Sequence, residues 1–292
     1  MHPLVSIVMP SLNQAAFMPA AVHSVLSQSY PHLELVVMDG GSTDGTQAWL
    51  AQRHAQDARL RWVSAPDSGP AEALNKALRL SRGTYMGWLN SDDVYTPGAV
   101  QRALQALLGH PEWLMVYGHG EHIDEAGRVL DSYPTRAPPA GMAEFAQGCF
   151  ICQPTVFFKR SMRLLLGPLD QSLRTSFDLD YWLRAFSAFP QRVGFVDAMQ
   201  AQSRLHAGCI TLRLRRTVML EGMQLLARHL GHAPKEWFLT YAIELLALPD
   251  GERGVQDLQE HLNEALAQAT PWLRLSELPG LKQELNDLLS KI

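Results

Sequence analysis

The chain has 292 residues, of which 47% are hydrophobic and 18% charged, so it can bury a sizeable core and is not intrinsically disordered. Its net charge is −4 and its basic residues form no long run, which argues against a nucleic-acid partner. Three cysteines cannot make a disulfide framework, and neither a signal peptide nor a run of about 18 apolar residues is visible. We therefore expect a cytoplasmic protein, soluble or peripherally attached at the inner face of the membrane.

The first hundred residues alternate between strand-like and helix-like patterns. Strands are predicted over residues 4–9, 33–38, 60–63 and 84–89, and helices over 15–28, 46–54 and 70–81. Short apolar runs that alternate with helices are typical of a parallel, doubly wound sheet.

The pattern is less regular after about residue 110. Strands are predicted over 113–117 and 154–158, a hairpin turn over 125–128 and a helix over 177–189. Residues 134–148 are rich in proline and glycine, which favours a mobile loop. From Thr211 onward the pattern is helical almost throughout.

Acidic side chains follow two of the predicted strands. Asp92 and Asp93 come directly after the fourth strand, at the edge where open α/β sheets bind ligands. Unpaired carboxylates there repel each other and lose solvation, so a divalent metal that holds a phosphorylated substrate is the economical explanation. Asp39 ends the second strand beside two glycines, where its carboxylate could accept hydrogen bonds from a nucleobase or ribose. The alternative for Asp39 is an ordinary strand-to-helix turn.

Four segments in a fixed order give a more specific signal. They are residues 10–13, the Asp39 segment, residues 66–78, and residues 90–93. Together they resemble the family 2 glycosyltransferases over roughly residues 4–211. The resemblance implies an α/β fold with a GT-A-type, doubly wound, mostly parallel (Rossmann-like) sheet, followed here by a C-terminal helical extension. It also implies inverting transfer of a sugar from a nucleotide diphosphate sugar, by family frequency a UDP-sugar, to a saccharide or lipid-linked saccharide acceptor.

The resemblance also assigns roles to individual residues. Asp93 would coordinate Mn²⁺ or Mg²⁺, with His206 as a second metal ligand or a phosphate donor, and Asp39 would contact the base. Ser91 stands where the family's metal motif often has an aspartate. The other substrate-binding assignments are Pro10, Ser11, Asn13, Asp67, Gly69, Asn75, Lys76, Ser91, Asp92, Gln153, Asp180 and Arg204. Without the family, Asn75 and Lys76 would be a polar helix face, and Asp67 a helix cap.

Two acids compete for the role of catalytic base. Asp178 and Asp180 cannot share a helix face, because neighbours on a face are three or four residues apart. One should point into the site while the other caps the helix or pairs elsewhere. The resemblance assigns the base to Asp178, since an attacking sugar hydroxyl must lose its proton, and Asp180 is the alternative.

Three regions are expected. Residues 1–110 would be a nucleotide-sugar-binding half, 111–211 an acceptor-binding and catalytic-base half of the same domain, and 212–292 the helical extension. Arg213, Arg215 and Arg216 could rest on an anionic membrane or be solvated, and residues 257–266 could pack within the tail or form a homodimer.

Cys149 and Cys152 are expected to be buried thiols, since zinc needs four ligands, and His119 and His122 to lie at the surface or near the acceptor. The competing functions are a nucleotidyltransferase and a non-catalytic nucleotide-sugar-binding protein.

Overall fold

The computed structural model describes residues 2–248, 253, 255 and 257–290. The strands are β1 Val5–Ser11, β2 Leu33–Asp39, β3 Leu60–Ser64, β4 Tyr85–Trp88, β5 Val94–Tyr95, β6 Met115–Ile123, β7 Val129–Ser132, β8 Phe157–Lys159 and β9 Val193–Arg204. The helices are α1 Met18–Leu26, α2 Thr46–Gln56, α3 Pro70–Leu80, α4 Ala99–Gly109, α5 Arg160–Leu166, α6 Phe177–Ala188, α7 Ile210–Arg213, α8 Arg215–Leu230, α9 Lys235–Ala247, α10 Leu258–Ala269 and α11 Leu278–Leu289. Short 3-10 helices occur at Met142–Gln147, Gln153–Thr155, Thr270–Trp272 and Leu275–Glu277.

The first four strands are parallel, in the order β3-β2-β1-β4. Every residue of β1 and β2 is buried, as expected for strands covered on both faces. Ser11 lies opposite Asp39, and Asp39 opposite Ser64, so the carboxyl ends of these strands meet at one edge. The predicted strands and helices of this region are all present, with ends shifted by a few residues.

The same sheet continues as β8-β6-β9-β5, with β7 paired to β6. Strand β8 is antiparallel to both β4 and β6, whereas β6 and β9 are parallel. The sequence pattern indicated neither β9 nor α5. An α/β fold with a doubly wound first half and a C-terminal helical extension is confirmed.

Within the described part of the chain, three hydrophobic clusters stabilise the fold. Successive residues of β1 alternate between the two sheet faces: Ile7 packs in one cluster and Val8 in the other. A third cluster joins α8 to α11, and it includes Leu262 and Leu266 of α10. The apolar face predicted in residues 257–266 is therefore covered within the chain.

Part of the predicted mobile loop is packed. Within residues 134–148, the 3-10 helix Met142–Gln147 places Phe145, which is fully buried, against Phe150 and Phe186. The proline and glycine content gave no sign of this aromatic anchor, so the prediction of a mobile loop is wrong for this part. No helix in the described residues combines the length and apolar character needed to cross a bilayer.

Candidate active site

A cavity of about 680 Å³ opens at the carboxyl ends of β1 and β4, within the size range of small-molecule sites. The loops after both strands, the starts of α3 and α6, the end of β9 and the helical extension all contribute to its wall. The predicted site residues in this wall are Pro10, Ser11, Asp67, Gly69, Ser91, Asp92, Asp93, Gln153, Asp178 and Arg204. Residues from six separate parts of the chain are therefore brought together.

Asp93 is a buried carboxylate, only 3% exposed, at the floor of the cavity. Its Oδ1 accepts a hydrogen bond from the Arg204 backbone N–H at 2.8 Å, and its Oδ2 accepts one from the Asn90 amide at 3.2 Å. Burial, and then the neighbouring charge of Asp92, raise the pKa of Asp93 well above its ordinary value. The anion is thus unfavourable by itself, and a cation beside it would offset that cost.

His206 and Arg204 hold the acidic motif from the other side. His206 Nε2 lies 3.1 Å from Asp92 Oδ2, although His206 is outside the cavity wall. The Arg204 guanidinium donates to the Asp92 carbonyl at 2.8 Å and to the carbonyls of Asp124 and Glu125. Arg204 therefore fixes the backbone of the motif as well as facing the cavity.

The acidic pair fits a divalent cation that is shared with a ligand. Nowhere in the described residues do three or more His, Cys, Asp or Glu side chains gather closely enough to hold a metal by themselves. Mg²⁺ and Mn²⁺ prefer oxygen ligands, and Mg²⁺ commonly takes one or two carboxylates while keeping phosphate and water oxygens. The adjacent carboxylates of Asp92 and Asp93, one of them a buried and destabilised anion, match this requirement.

An amide network supports the same loop. Gln153 donates to the Trp88 carbonyl at 2.9 Å and accepts from the Asn90 amide at 3.0 Å. The Asn90 amide oxygen in turn accepts from the indole N–H of Trp88 at 2.9 Å. Asn90 is not among the predicted site residues, although its place at the head of the acidic motif is a signal that could have found it.

Asp39 does not face the cavity. It is fully buried, and its carboxylate accepts hydrogen bonds from the backbone N–H groups of Gly41 and Ser42 and from the hydroxyls of Ser42 and Ser64. All of these donors belong to the protein, so Asp39 organises the turn after β2. Its predicted contact with the base stays a prediction.

Asp67 is the carboxylate that the loops leave available at this end of the cavity. Its Oδ1 accepts from the Gly69 N–H at 3.0 Å, and burial raises its pKa. Ser11 also lines the cavity, and its buried hydroxyl has no hydrogen-bond partner among the described residues. Asp67 thus offers an acceptor at this end of the cavity.

Three other predicted binding residues make contacts within the protein instead. Asn75 is fully buried, and its amide both donates to and accepts from the Leu169 backbone at 2.9 and 3.0 Å. Lys76 pairs with Glu72 at 2.8 Å. Asn13, in the left-handed region at φ 53°, accepts from the Thr43 N–H and ties the loops after β1 and β2 together. None of the three lines the cavity.

Asp178 and Asp180 point in different directions. Asp178 lines the cavity, and burial raises its pKa to about 6. Asp180 is absent from the cavity wall and pairs with Arg184 at 2.8 Å, one helical turn along α6. The expectation that one acid faces the site while the other pairs elsewhere agrees with this geometry.

Other parts of the wall come from groups to which sequence analysis assigned no substrate role, among them Cys149, Cys152 and Tyr133. His122, expected at the surface or near the acceptor, also lines the cavity. The cysteines are free thiols, and burial raises the pKa of Cys149 to about 12, so they are unreactive. The helical extension adds Arg213, Arg215, Val218, Met219, Trp237, Thr240, Tyr241 and Glu244. Their signal was weak because the tail lies outside the region of resemblance.

Comparison with known proteins shows the family to which this chain is similar. The family model described as Glycosyl transferase family 2 matches residues 6–163. Among curated proteins, the chain is 40% identical over 193 residues to the putative teichuronic acid biosynthesis glycosyltransferase TuaG of Bacillus subtilis, covering 64% of this chain and 75% of that protein. It spans only 27% to 35% of the length of three other curated relatives.

Solved structures share the fold. The mannosyltransferase PcManGT of Pyrobaculum calidifontis, in complex with GDP-Man and Mn²⁺, superposes with a TM-score of 0.61 at 18% identity, covering 99% of this chain and 81% of that one. S. aureus TarS 1-349 in complex with UDP-GlcNAc gives 0.59 at 17% identity, covering 98% and 80%. The GT-A fold expected from the sequence is thereby confirmed.

Proposed function

Because the chain belongs to glycosyl transferase family 2, we propose that it is an inverting, metal-dependent enzyme that moves a sugar from a nucleotide diphosphate sugar to a saccharide or lipid-linked saccharide. The observation that carries this proposal is the convergence of Asp92, Asp93 and Asp178, from distant parts of the chain, on one cavity. Family membership alone would leave open whether the site is intact.

The donor would bind at the edge formed by β1, α3 and the loop after β4. Ser11, Asp67 and Gly69 line this side, next to Asp92 and Asp93. Either UDP or GDP could be the leaving nucleotide, since the fold holds UDP-GlcNAc in TarS and GDP-Man in PcManGT. We favour UDP on family frequency.

Asp93, with Asp92 beside it, would hold Mn²⁺ or Mg²⁺ together with the diphosphate. When bound, such a cation neutralises the negative charge that develops on a departing nucleoside diphosphate. Arg204 adds a positive charge next to the motif, and its backbone N–H keeps the Asp93 carboxylate oriented. His206 would act mainly through its contact with Asp92.

Asp178 would remove the proton from the acceptor hydroxyl as that oxygen attacks the anomeric carbon. Its pKa of about 6 keeps it deprotonated at neutral pH, while making it a stronger base than an ordinary aspartate. A single attack of this kind, with the diphosphate leaving from the opposite face, inverts the anomeric configuration. No covalent intermediate on the protein is needed.

The acceptor would enter along the wall that the helical extension supplies. Trp237, Thr240 and Tyr241 of α9 line the cavity and offer aromatic and hydroxyl groups of the kind that bind sugar rings. The name of TuaG, with its reference to teichuronic acid biosynthesis, supports a polysaccharide product.

A two-stage measurement tests the proposal. Thermal-shift screening of nucleotide sugars with Mn²⁺ should raise the melting temperature for the true donor, because ligand binding stabilises the folded state. That donor should then release its nucleoside diphosphate when a saccharide acceptor is added. Donor binding without any turnover across a broad acceptor panel would instead support a non-catalytic nucleotide-sugar-binding protein.

A further inference from the structure

The carboxylate of Glu221, on α8 of the helical extension, binds the segment that leads into α6. Its Oε1 accepts from the Arg174 backbone N–H at 2.8 Å. Its Oε2 accepts from the Thr175 N–H at 2.9 Å, the Thr175 hydroxyl at 2.6 Å and the Ser176 N–H at 2.9 Å. One side chain therefore takes four hydrogen bonds from three consecutive residues.

These bonds hold the segment that leads into α6, and the bond to the Ser176 N–H also satisfies the N-cap residue of that helix. The N–H groups at the start of an α-helix have no partner inside the helix, and a side-chain oxygen usually satisfies them. Ser176, the residue just before α6, makes no capping hydrogen bond with its own side chain. Glu221 secures this entry from 45 residues further along the chain.

We propose that Glu221 is a positioning residue for Asp178, which lies two residues beyond the segment that Glu221 holds. The proposal rests on the role of Asp178 as catalytic base. Asp178 is in the first turn of α6, so the direction of its carboxylate depends on where that helix begins. The helical extension, which lies outside the matched family region, is then part of the catalytic apparatus.

Glu221 also acts through its charge. After burial, its negative charge is a further cause of the raised pKa of Asp178, while the Leu179 N–H opposes the rise. The other titratable groups that couple to Asp178 are Tyr133, Cys149 and Cys152. Burial raises the pKa of all three, so they stay neutral near pH 6. His122 lies one contact further away, against Tyr133.

Two substitutions separate position from charge. Glu221→Gln keeps one oxygen for the Thr175 and Ser176 donors but removes the charge, so Asp178 should lose its proton at lower pH. Glu221→Ala removes all four hydrogen bonds. The control is Glu264→Gln, which neutralises another carboxylate of the extension, one that is 60% exposed and 3.3 Å from Arg216.

The test combines hydrogen exchange with the pH dependence of nucleoside diphosphate release. In Glu221→Ala, amide exchange at residues 174–176 should accelerate, with donor affinity unchanged, and turnover should fall about tenfold or more, which is less than the roughly 10²- to 10⁴-fold expected when the base itself is lost. In Glu221→Gln, the acidic limb of the profile should move to lower pH. Glu264→Gln should change neither.

Two results would overturn the inference. One is unchanged amide exchange at residues 174–176 in Glu221→Ala. The other applies if the wild type shows an acidic limb, and it is that the limb lies at the same pH in Glu221→Gln. If the alanine variant does not fold, the glutamine profile decides. If the wild-type protein turns over no donor, the proposed function fails. Amide exchange in the glutamine variant, which lacks the Arg174 bond, still decides whether Glu221 holds residues 174–176.

Discussion

The carboxylate of Asp67 packs against Gly40, so closely that a β-carbon at position 40 would lie 2.9 Å from Asp67 Oδ2. The space left by the missing side chain after β2 is therefore filled by an acid from the loop before α3. Since Asp39 is buried and accepts hydrogen bonds from its own turn and from Ser64, we predict that Asp67 accepts a hydrogen bond from the nucleobase.

This relationship predicts that Gly40→Ala weakens nucleotide binding without unfolding the protein. The new methyl group would push the Asp67 carboxylate out of place, and we expect about a five- to tenfold loss of UDP affinity, or about 1 to 1.4 kcal/mol. Asp67→Asn should cause a similar loss. Isothermal titration calorimetry with UDP and Mn²⁺ measures both.

The matched control is Gly109→Ala, because Gly109 ends α4 and an added β-carbon there meets nothing within 4 Å. It should bind UDP as tightly as the wild type. Unchanged affinity in both Gly40→Ala and Asp67→Asn would return the base contact to Asp39.

Asp93→Asn is predicted to abolish turnover while stabilising the apoprotein. Burial and Asp92 raise the pKa of Asp93, so this carboxyl lowers the stability increasingly as the pH rises from its unfolded-state pKa to its folded-state pKa, and by the full amount above that. The neutral amide avoids that cost, and the melting temperature should rise by about 2 °C or more. Mn²⁺ should no longer strengthen UDP binding.

Asp197→Asn is the control for this experiment, since its carboxylate is 90% exposed and lies outside the cavity wall. It should leave melting temperature, metal response and turnover unchanged. Full Mn²⁺-dependent turnover by Asp93→Asn would remove Asp93 from the metal site.

Asn75→Ala is predicted to reduce stability and not donor affinity. The Asn75 amide joins α3 to the backbone of Leu169 through two buried hydrogen bonds, and its loss leaves both backbone groups unpaired. The free energy of unfolding should fall by about 2 to 4 kcal/mol in urea titrations. A normal unfolding midpoint combined with weak UDP binding would restore the donor contact first expected of Asn75.

The sequence predicted those elements whose pattern is set locally. Val36 and Val37 lie in a wholly buried strand, and the apolar run that contains them predicted a strand there. Pro70 likewise predicted the start of α3. Strand β9 was missed because it mixes polar and apolar residues, and its pairing with β6 includes register shifts near His119. No local pattern encodes such a partner.

The same distinction separates the site residues that could be found from those that could not. Asp92, Asp93 and Asp178 belong to motifs with recognisable neighbours. Glu221 belongs to no recognisable motif, because the residues that it binds lie 45 to 47 positions earlier in the chain. The division into regions at residues 110 and 211, the cytoplasmic location, the membrane contact and the homodimer all stay predictions.

The two acids of α6 should differ sharply on substitution. Asp178→Asn should retain donor binding and lose about 10²- to 10⁴-fold in turnover, the usual contribution of a positioned general base. Asp180→Asn should weaken the pair with Arg184, whose guanidinium also donates to the carbonyls of Leu166 and Pro168. It should therefore lower the melting temperature and keep most of the turnover.

The pH profile supplies an independent check on this assignment. Because the pKa of Asp178 is about 6 and the base works deprotonated, wild-type turnover should fall as the pH drops through that value. The residual activity of Asp178→Asn should lack this acidic limb, whereas Asp180→Asn should keep it. If Asp180→Asn loses the limb and Asp178→Asn keeps it, Asp180 is the base, and α6 must then turn to present its other face to the cavity.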